Sequence, residues 1–248
     1  MEKILYFDCF SGISGDMAVG AFLDLGIDEG DFLSELEKLN LEGYRIRIRR
    51  SVKKGISGTD FEVLLEEGNH HHVHRNLYDI EQILDSSGLK DTVKAMSKKI
   101  FRIVAEAEAT VHGKPIEEVH FHEVGAVDSI VDIAGFSICM DLLGVEEVHS
   151  SPLHVGCGFV ECAHGHIPVP APAVLEILKG VPIYSAGIRG ELVTPTGAAI
   201  VKALSRSYGE IPLMEIQKIG YGLGKRDFEI PNAFRVYLAE KKSPKISL

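Results

Sequence analysis

Apolar positions along this chain switch between a period of two and a period of three to four, which predicts strands and helices in mixture. KILYF is a short run of strand formers; it gives way to the small, polar loop DCFSGISGD and then to MAVGAFLDLG, which has helical spacing and a glycine stop. YRIRIRRSV alternates, with Ile46 and Ile48 on one face and arginines on the other. GISG breaks it and FEVLLEE follows, so an antiparallel pair is expected. Residues 69–76 form a polar, His-rich connection where the chain is expected to divide if it has two subdomains. Over 77–112 the apolar residues recur at three and four, interrupted by SSGLKD. A second strong helix is predicted over 126–143, and VEEVHSSPLHVGCGFVEC after it reads as paired strands. PVPAPAVLEILKG starts a helix near Ala171 that Gly180 ends, and TPTGAAIVKALSRSYG is another, capped by Thr194 or Thr196. MEIQKIGYGLGKRDF and FRVYLAE read as strands around a glycine-rich turn. Without a regular β-α-β rhythm the expected class is α+β, mixed sheets with packed helices.

Composition narrows the functions. An apolar share of 45% over 248 residues is ample for a core. With 26 basic against 36 acidic side chains the net charge is -10, which disfavours nucleic acid and anionic membrane surfaces and suits the attraction of cations. No run approaches the roughly 18 to 20 apolar residues of a membrane span, and the opening MEKILYFDCF does not read as a secretory signal. The cytoplasm is the expected compartment, and Cys9, Cys139, Cys157 and Cys162 are expected to be reduced thiols.

Chemistry enters through histidine. Nine of the 11 histidines fall in three clusters: His70, His71, His72 and His74; His120 and His122; and His154, His164 and His166. Neutral imidazole suits nickel, zinc or copper, and the third cluster adds the thiols of Cys157 and Cys162. In an extended segment His70, His72 and His74 share a face while His71 points away. The alternative is a solvated loop that binds metal incidentally. His120 and His122 also share a face, and Glu123 follows before the helix that carries Asp128 and Asp132 one turn apart. That helix is apolar on most sides, so both carboxylates are expected in or near a cleft, serving a metal or acid-base step; the alternative is an exposed helix start favoured by the dipole. H-x2-C-x4-C-x-H-x-H does not reproduce a standard zinc-finger spacing. SGISGD lacks the P-loop lysine and does not match G-x-G-x-x-G, yet it opens a helix whose N–H groups suit a phosphate or carboxylate, and TPTG offers the same geometry. Asp8 and Asp16 bracket the first loop as candidate hard ligands for magnesium or manganese. No Ser-His-Asp signal appears.

Taken together, YFDCFSGISGDM, HHHVHR, VHFHEVGAVDSIVDI, GFVECAHGHIPVPAPA, GELVTPTGAAI and IGYGLGKRDFEIPNAFR resemble, in order, the motif series of the LarC family of nickel-insertion proteins. The resemblance implies insertion of nickel(II) into pyridinium-3,5-bisthiocarboxylic acid mononucleotide, giving the nickel-pincer nucleotide cofactor of lactate racemase. It also implies CTP and manganese or magnesium, with the CTP site in a further C-terminal domain; this chain stops soon after PNAFR and is expected to be the N-terminal part. The pyridinium mononucleotide, that C-terminal domain and the recipient apoenzyme are the expected partners, with room for a homo-oligomer. Carried over by motif position, Ser11, Gly12, Ser14, Gly15 and Asp16 form a phosphate or substrate loop, joined by Thr194 and Thr196 from TPTG. His70, His71, His72, His74, His120, His122, Cys162 and His164 are the nickel contacts. Glu123, Asp128 and Asp132 are the acid-base candidates by side-chain chemistry. The competing reading is a nickel chaperone or storage module without chemistry of its own.

Overall fold

The computed structural model describes residues 3–66, 75–119, 121, 126–145, 147–162 and 165–242. Its centre is a seven-stranded mixed sheet in the order β10-β4-β1-β12-β11-β3-β2. β1 (Lys3–Asp8) lies between β12 (Ala233–Lys241), antiparallel, and β4 (Glu147–Ser150), parallel. β11 (Met214–Leu223) pairs antiparallel with β12, and the predicted hairpin of β2 (Tyr44–Lys53) and β3 (Ile56–Leu65) forms one edge. The first strand of the sequence thus pairs with the last described one.

Helices cover the face presented by Leu5 and Phe7. α1 (Gly15–Asp24) and α5 (Val127–Leu143) bring Phe22 and Phe136 edge-on to Phe7, at 6.2 and 6.4 Å between ring centroids, and Phe234 of β12 closes the cluster at 5.4 Å. Edge-to-face rings add favourable quadrupole contacts to the area they bury. α1 sits close on β11 because Gly222 has no side chain: a Cβ there would meet the Met17 carbonyl and the Ala21 nitrogen of α1. α2 (Glu29–Glu37), which the hydrophobic pattern did not single out, is capped by Asp28 and lays Phe32 against Phe61, 5.9 Å away. α3 (Leu77–Ser86) begins with a capping box of Asn76 and Asp79, and α4 (Asp91–His112) follows the SSGLKD break as expected.

Two sequence expectations change. The segment read as paired strands after α5 does not pair with itself: β4 joins the main sheet, β5 (Leu153–His154) pairs with β8 (Ile183–Tyr184), and β6 (Gly156–Cys162) pairs with β7 (Gly165–Val169) and β9 (Gly190–Glu191). Glycines with positive φ at 156 and 158 let the chain turn between these partners. After α6 (Pro172–Ile177), α7 (Pro195–Leu204) ends one turn earlier than its pattern suggested, because 205–208 extend into β10 (Ser205–Tyr208), parallel to β4. Among the described residues no helix is long and apolar enough to cross a membrane.

Candidate functional site

The two small-residue loops singled out in the sequence are stitched together in space. After β1, Gly12 N–H donates to the Cys9 carbonyl at 3.0 Å, folding the chain back. Ile13 N–H then donates to the Leu192 carbonyl at 2.9 Å, and Thr194 N–H returns a bond to the Ile13 carbonyl at 3.1 Å. Gly12 is left-handed, with φ of 78°, and a Cβ on it would run into the Leu192 carbonyl, so glycine is required there twice over. Thr194 caps α7 by accepting from Gly197 N–H at 3.2 Å, while Ser14 sits at the N-cap of α1. The first turns of α1 and α7 therefore open on one cleft of about 360 Å³.

Ser14, Gly15, Asp16, Asp128, Asp132, Thr194 and Thr196 all line this cleft, joined by Glu62 and Lys225. Asp132 forms its floor. One of its oxygens, Oδ1, is sealed from solvent and has no hydrogen-bond partner. Gly15 leaves room for it: a Cβ at that position would stand 2.6 Å from Asp132 Oδ2. Burial pushes the Asp132 carboxyl well above the usual carboxylate range, and the charges of Asp16 and Asp128 push it the same way. Asp16 is also raised, first by burial, although Ser14, Lys225 and the N–H of Met17, 2.8 Å from its Oδ1, all favour its charge. Asp128 lies exposed at the rim, one helical turn away.

Lys225 is the cation of the cleft. It follows β11 in the glycine-rich turn; its Nζ donates to the Phe61 carbonyl at 2.7 Å, pairs with Asp60, and stands 3.7 Å from Asp16 Oδ2. Burial opposes the charge of Asp60, but Lys225 and Arg49 outweigh it and hold that carboxyl below its ordinary value. Glu62, two residues along the same strand face, accepts from Arg47 Nε at 2.8 Å. None of Asp60, Glu62 and Lys225 was singled out from sequence; the signals were the alternation of β3 and the GKRD stretch of the last motif block.

Several expected site residues go elsewhere. Ser11 is fully buried and Gly12 is packed under Leu192, so both build the loop and neither lines the cleft. Asp8 is no free hard ligand: its Oδ2 accepts from Arg235 Nε at 3.0 Å and from the Tyr237 hydroxyl at 3.2 Å. Both nitrogens of His154 are used, Nδ1–H donating to the Phe10 carbonyl and Nε2 accepting from Ala186 N–H, each at 3.0 Å. His166 pairs with Glu161 at 2.9 Å and stacks on Phe159. Cys9 and Cys139 are buried, and burial pushes the Cys9 thiol up to about 12 and Cys139 higher still, so neither is a ready thiolate. His70, His71, His72, His74, His120, His122, Glu123, His164 and the side chain of Cys162 lie outside the described residues. Among the described residues no three His, Cys, Asp or Glu side chains are grouped to hold a metal ion.

An α+β scaffold that presents a buried carboxylate pair and a lysine between two helix N-termini defines a protein that handles cations or protons beside an anionic group. Comparison with known families makes this specific: residues 5–247 match the nickel insertion protein family, and the chain belongs to it. It is 54% identical over 248 residues to the pyridinium-3,5-bisthiocarboxylic acid mononucleotide nickel insertion protein of Acetivibrio thermocellus, covering 97% of this chain and 61% of that protein. The proteins of the same name from Clostridium kluyveri and Geobacillus kaustophilus are 52% and 51% identical, with 63% and 60% of their lengths covered. The chain thus spans less than two thirds of these relatives. No solved structure matches it.

Proposed function

We propose that this chain carries the nickel-handling part of an enzyme that inserts nickel(II) into pyridinium-3,5-bisthiocarboxylic acid mononucleotide, a chelatase-type lyase that yields the nickel-pincer cofactor of lactate racemase. The observation that carries the reading is the cleft: seven of the residues singled out from the motif blocks converge there with Lys225. Nickel is cargo. In the step, the C–H electron pair of the pyridinium ring goes to nickel as the carbon–nickel bond forms, and the proton leaves to a carboxylate. Asp128 at the rim and Glu123, five residues before it, are the acceptors of that proton; a carboxylate near a buried carboxyl group is more basic than one in water, which suits the task. The two sulfur atoms of the substrate are softer ligands than imidazole, so the His70–His74 and His120–His122 segments, with Cys162 and His164, deliver nickel and release it to the stronger site. Thr194, Thr196, Ser14 and the two helix N-termini position the mononucleotide.

The rest of the relatives' length supplies the CTP step, with manganese or magnesium, and the reaction belongs to the cytoplasm. The test is reconstitution. This chain, nickel, the pyridinium mononucleotide, CTP and manganese are combined with the remaining portion of a relative added in trans, and activation of apo lactate racemase is measured. Activation is expected only with that portion present, and activation by this chain alone contradicts the division of labour. Nickel binding without any pincer under all conditions would favour the chaperone or storage reading.

A further inference from the structure

We infer that the cleft between α1 and α7 holds a hard divalent cation of the magnesium or manganese type, bound by the Asp132 and Asp16 carboxylates and bridged to the phosphate of a mononucleotide. The phosphate half of this rests on the function proposed above; the cation half does not. Asp132 supplies the first argument. Its Oδ1 is sealed from solvent and meets no donor, an arrangement that buried carboxylates rarely keep without a cation or a proton. A second carboxylate, Asp16, lies close enough to repel it, and Lys225 does not relieve the pair: its Nζ is held by Asp60 and the Phe61 carbonyl and stays 3.7 Å from Asp16 Oδ2.

The ligand chemistry selects the ion. The described polar side chains around Asp132 offer carboxylate and hydroxyl oxygens, from Ser14, Asp16, Asp128, Thr194 and Thr196, and no imidazole or thiol. Oxygen-only surroundings suit magnesium or manganese and are poor for nickel, so this position is distinct from the nickel path. No three described carboxylates, histidines or cysteines form a cage, which leaves coordination positions for water and an incoming phosphate; magnesium commonly binds through one or two carboxylates plus a substrate phosphate. The two helix N-termini that open on the same cleft favour the phosphate itself, so cation-seeking and anion-seeking groups stand side by side.

The experiment follows Mn2+ by electron paramagnetic resonance as it is titrated into the metal-stripped chain, alone, with nicotinic acid mononucleotide, and with inorganic phosphate. One Mn2+ per chain is expected, displaced by Mg2+, and bound about tenfold more tightly when nicotinic acid mononucleotide is present. Asp132→Asn should weaken Mn2+ by at least about tenfold. Asp16→Asn does the same and decides the matter if the buried Asp132 variant fails to fold by circular dichroism. Unchanged Mn2+ affinity in both folded variants, or no stoichiometric Mn2+ at all, overturns the site and leaves the two carboxyls sharing a proton. Tightening by inorganic phosphate equal to that by the mononucleotide overturns recognition of the nucleotide while supporting the cation. Mn2+ binding with no pincer formed in the reconstituted system refutes the proposed function and leaves the cation site standing; pincer formation without Mn2+ at Asp132 does the reverse.

Discussion

Asp132 concentrates the conflict of this protein in one residue. A carboxyl with a raised native pKa binds its proton in the folded chain over a pH range where the unfolded chain has already released it. Native protein then carries more protons, so stability falls as pH rises from the ordinary carboxylate range toward the native pKa, and it is largest below that range. Asp16, raised in the same direction, adds to the trend. Asp132→Asn removes the ionisation. In metal-free buffer it should melt higher than the parent near neutral pH, by roughly 2 to 4 °C per kcal/mol of relief for a domain of this size, with the gap closing near pH 4. Thermal unfolding across pH checks this, and a gap that widens toward acid contradicts it. The spacing of Asp128 and Asp132 was legible as one helical turn; that one is buried and the other exposed was not, because depth depends on what α1 brings against α5.

At the scale of elements, the hydrophobic periodicity located β1, α1, the β2–β3 hairpin, α4 and α5. It did so because each buries one face or nearly all of its surface, and burial is what the pattern encodes. The pattern missed α2, whose apolar residues Phe32 and Leu36 are too few to stand out, and it misread β10, a strand whose only reason to extend is the parallel neighbour β4. The α1–β11 contact is the joint that places the cleft. Gly222→Ala puts a methyl group into the α1 backbone and should cost about 1 to 3 kcal/mol or more, since a backbone neighbour cannot swing away as a side chain can. Urea unfolding measures it. A neutral result would mean that α1 has freedom to move that the packing denies.

For the whole molecule, the acidic balance and the clustered histidines make nickel capture a property to be tested on the intact chain. Calorimetry with Ni2+ should show binding that switches on with a midpoint at about pH 6 to 7, the range in which histidines lose their protons. Replacing His70, His71, His72 and His74 by Ala should weaken loading, and absence of nickel binding at neutral pH in the parent contradicts the metal reading of the clusters. The chain by itself determined its elements, its α+β class and its family, because these rest on local propensity, periodicity and ordered motifs. It also determined which residue types carry chemistry. Only tertiary structure decided which of them meet: that SGISGD and TPTG are laced together through Ile13, that Asp132 lies under Gly15, and that Lys225, remote in sequence, supplies the positive charge. Those relations depend on β11 and β12 folding back beside β1 and β3, and contacts between distant segments leave no periodic trace in the segments that make them.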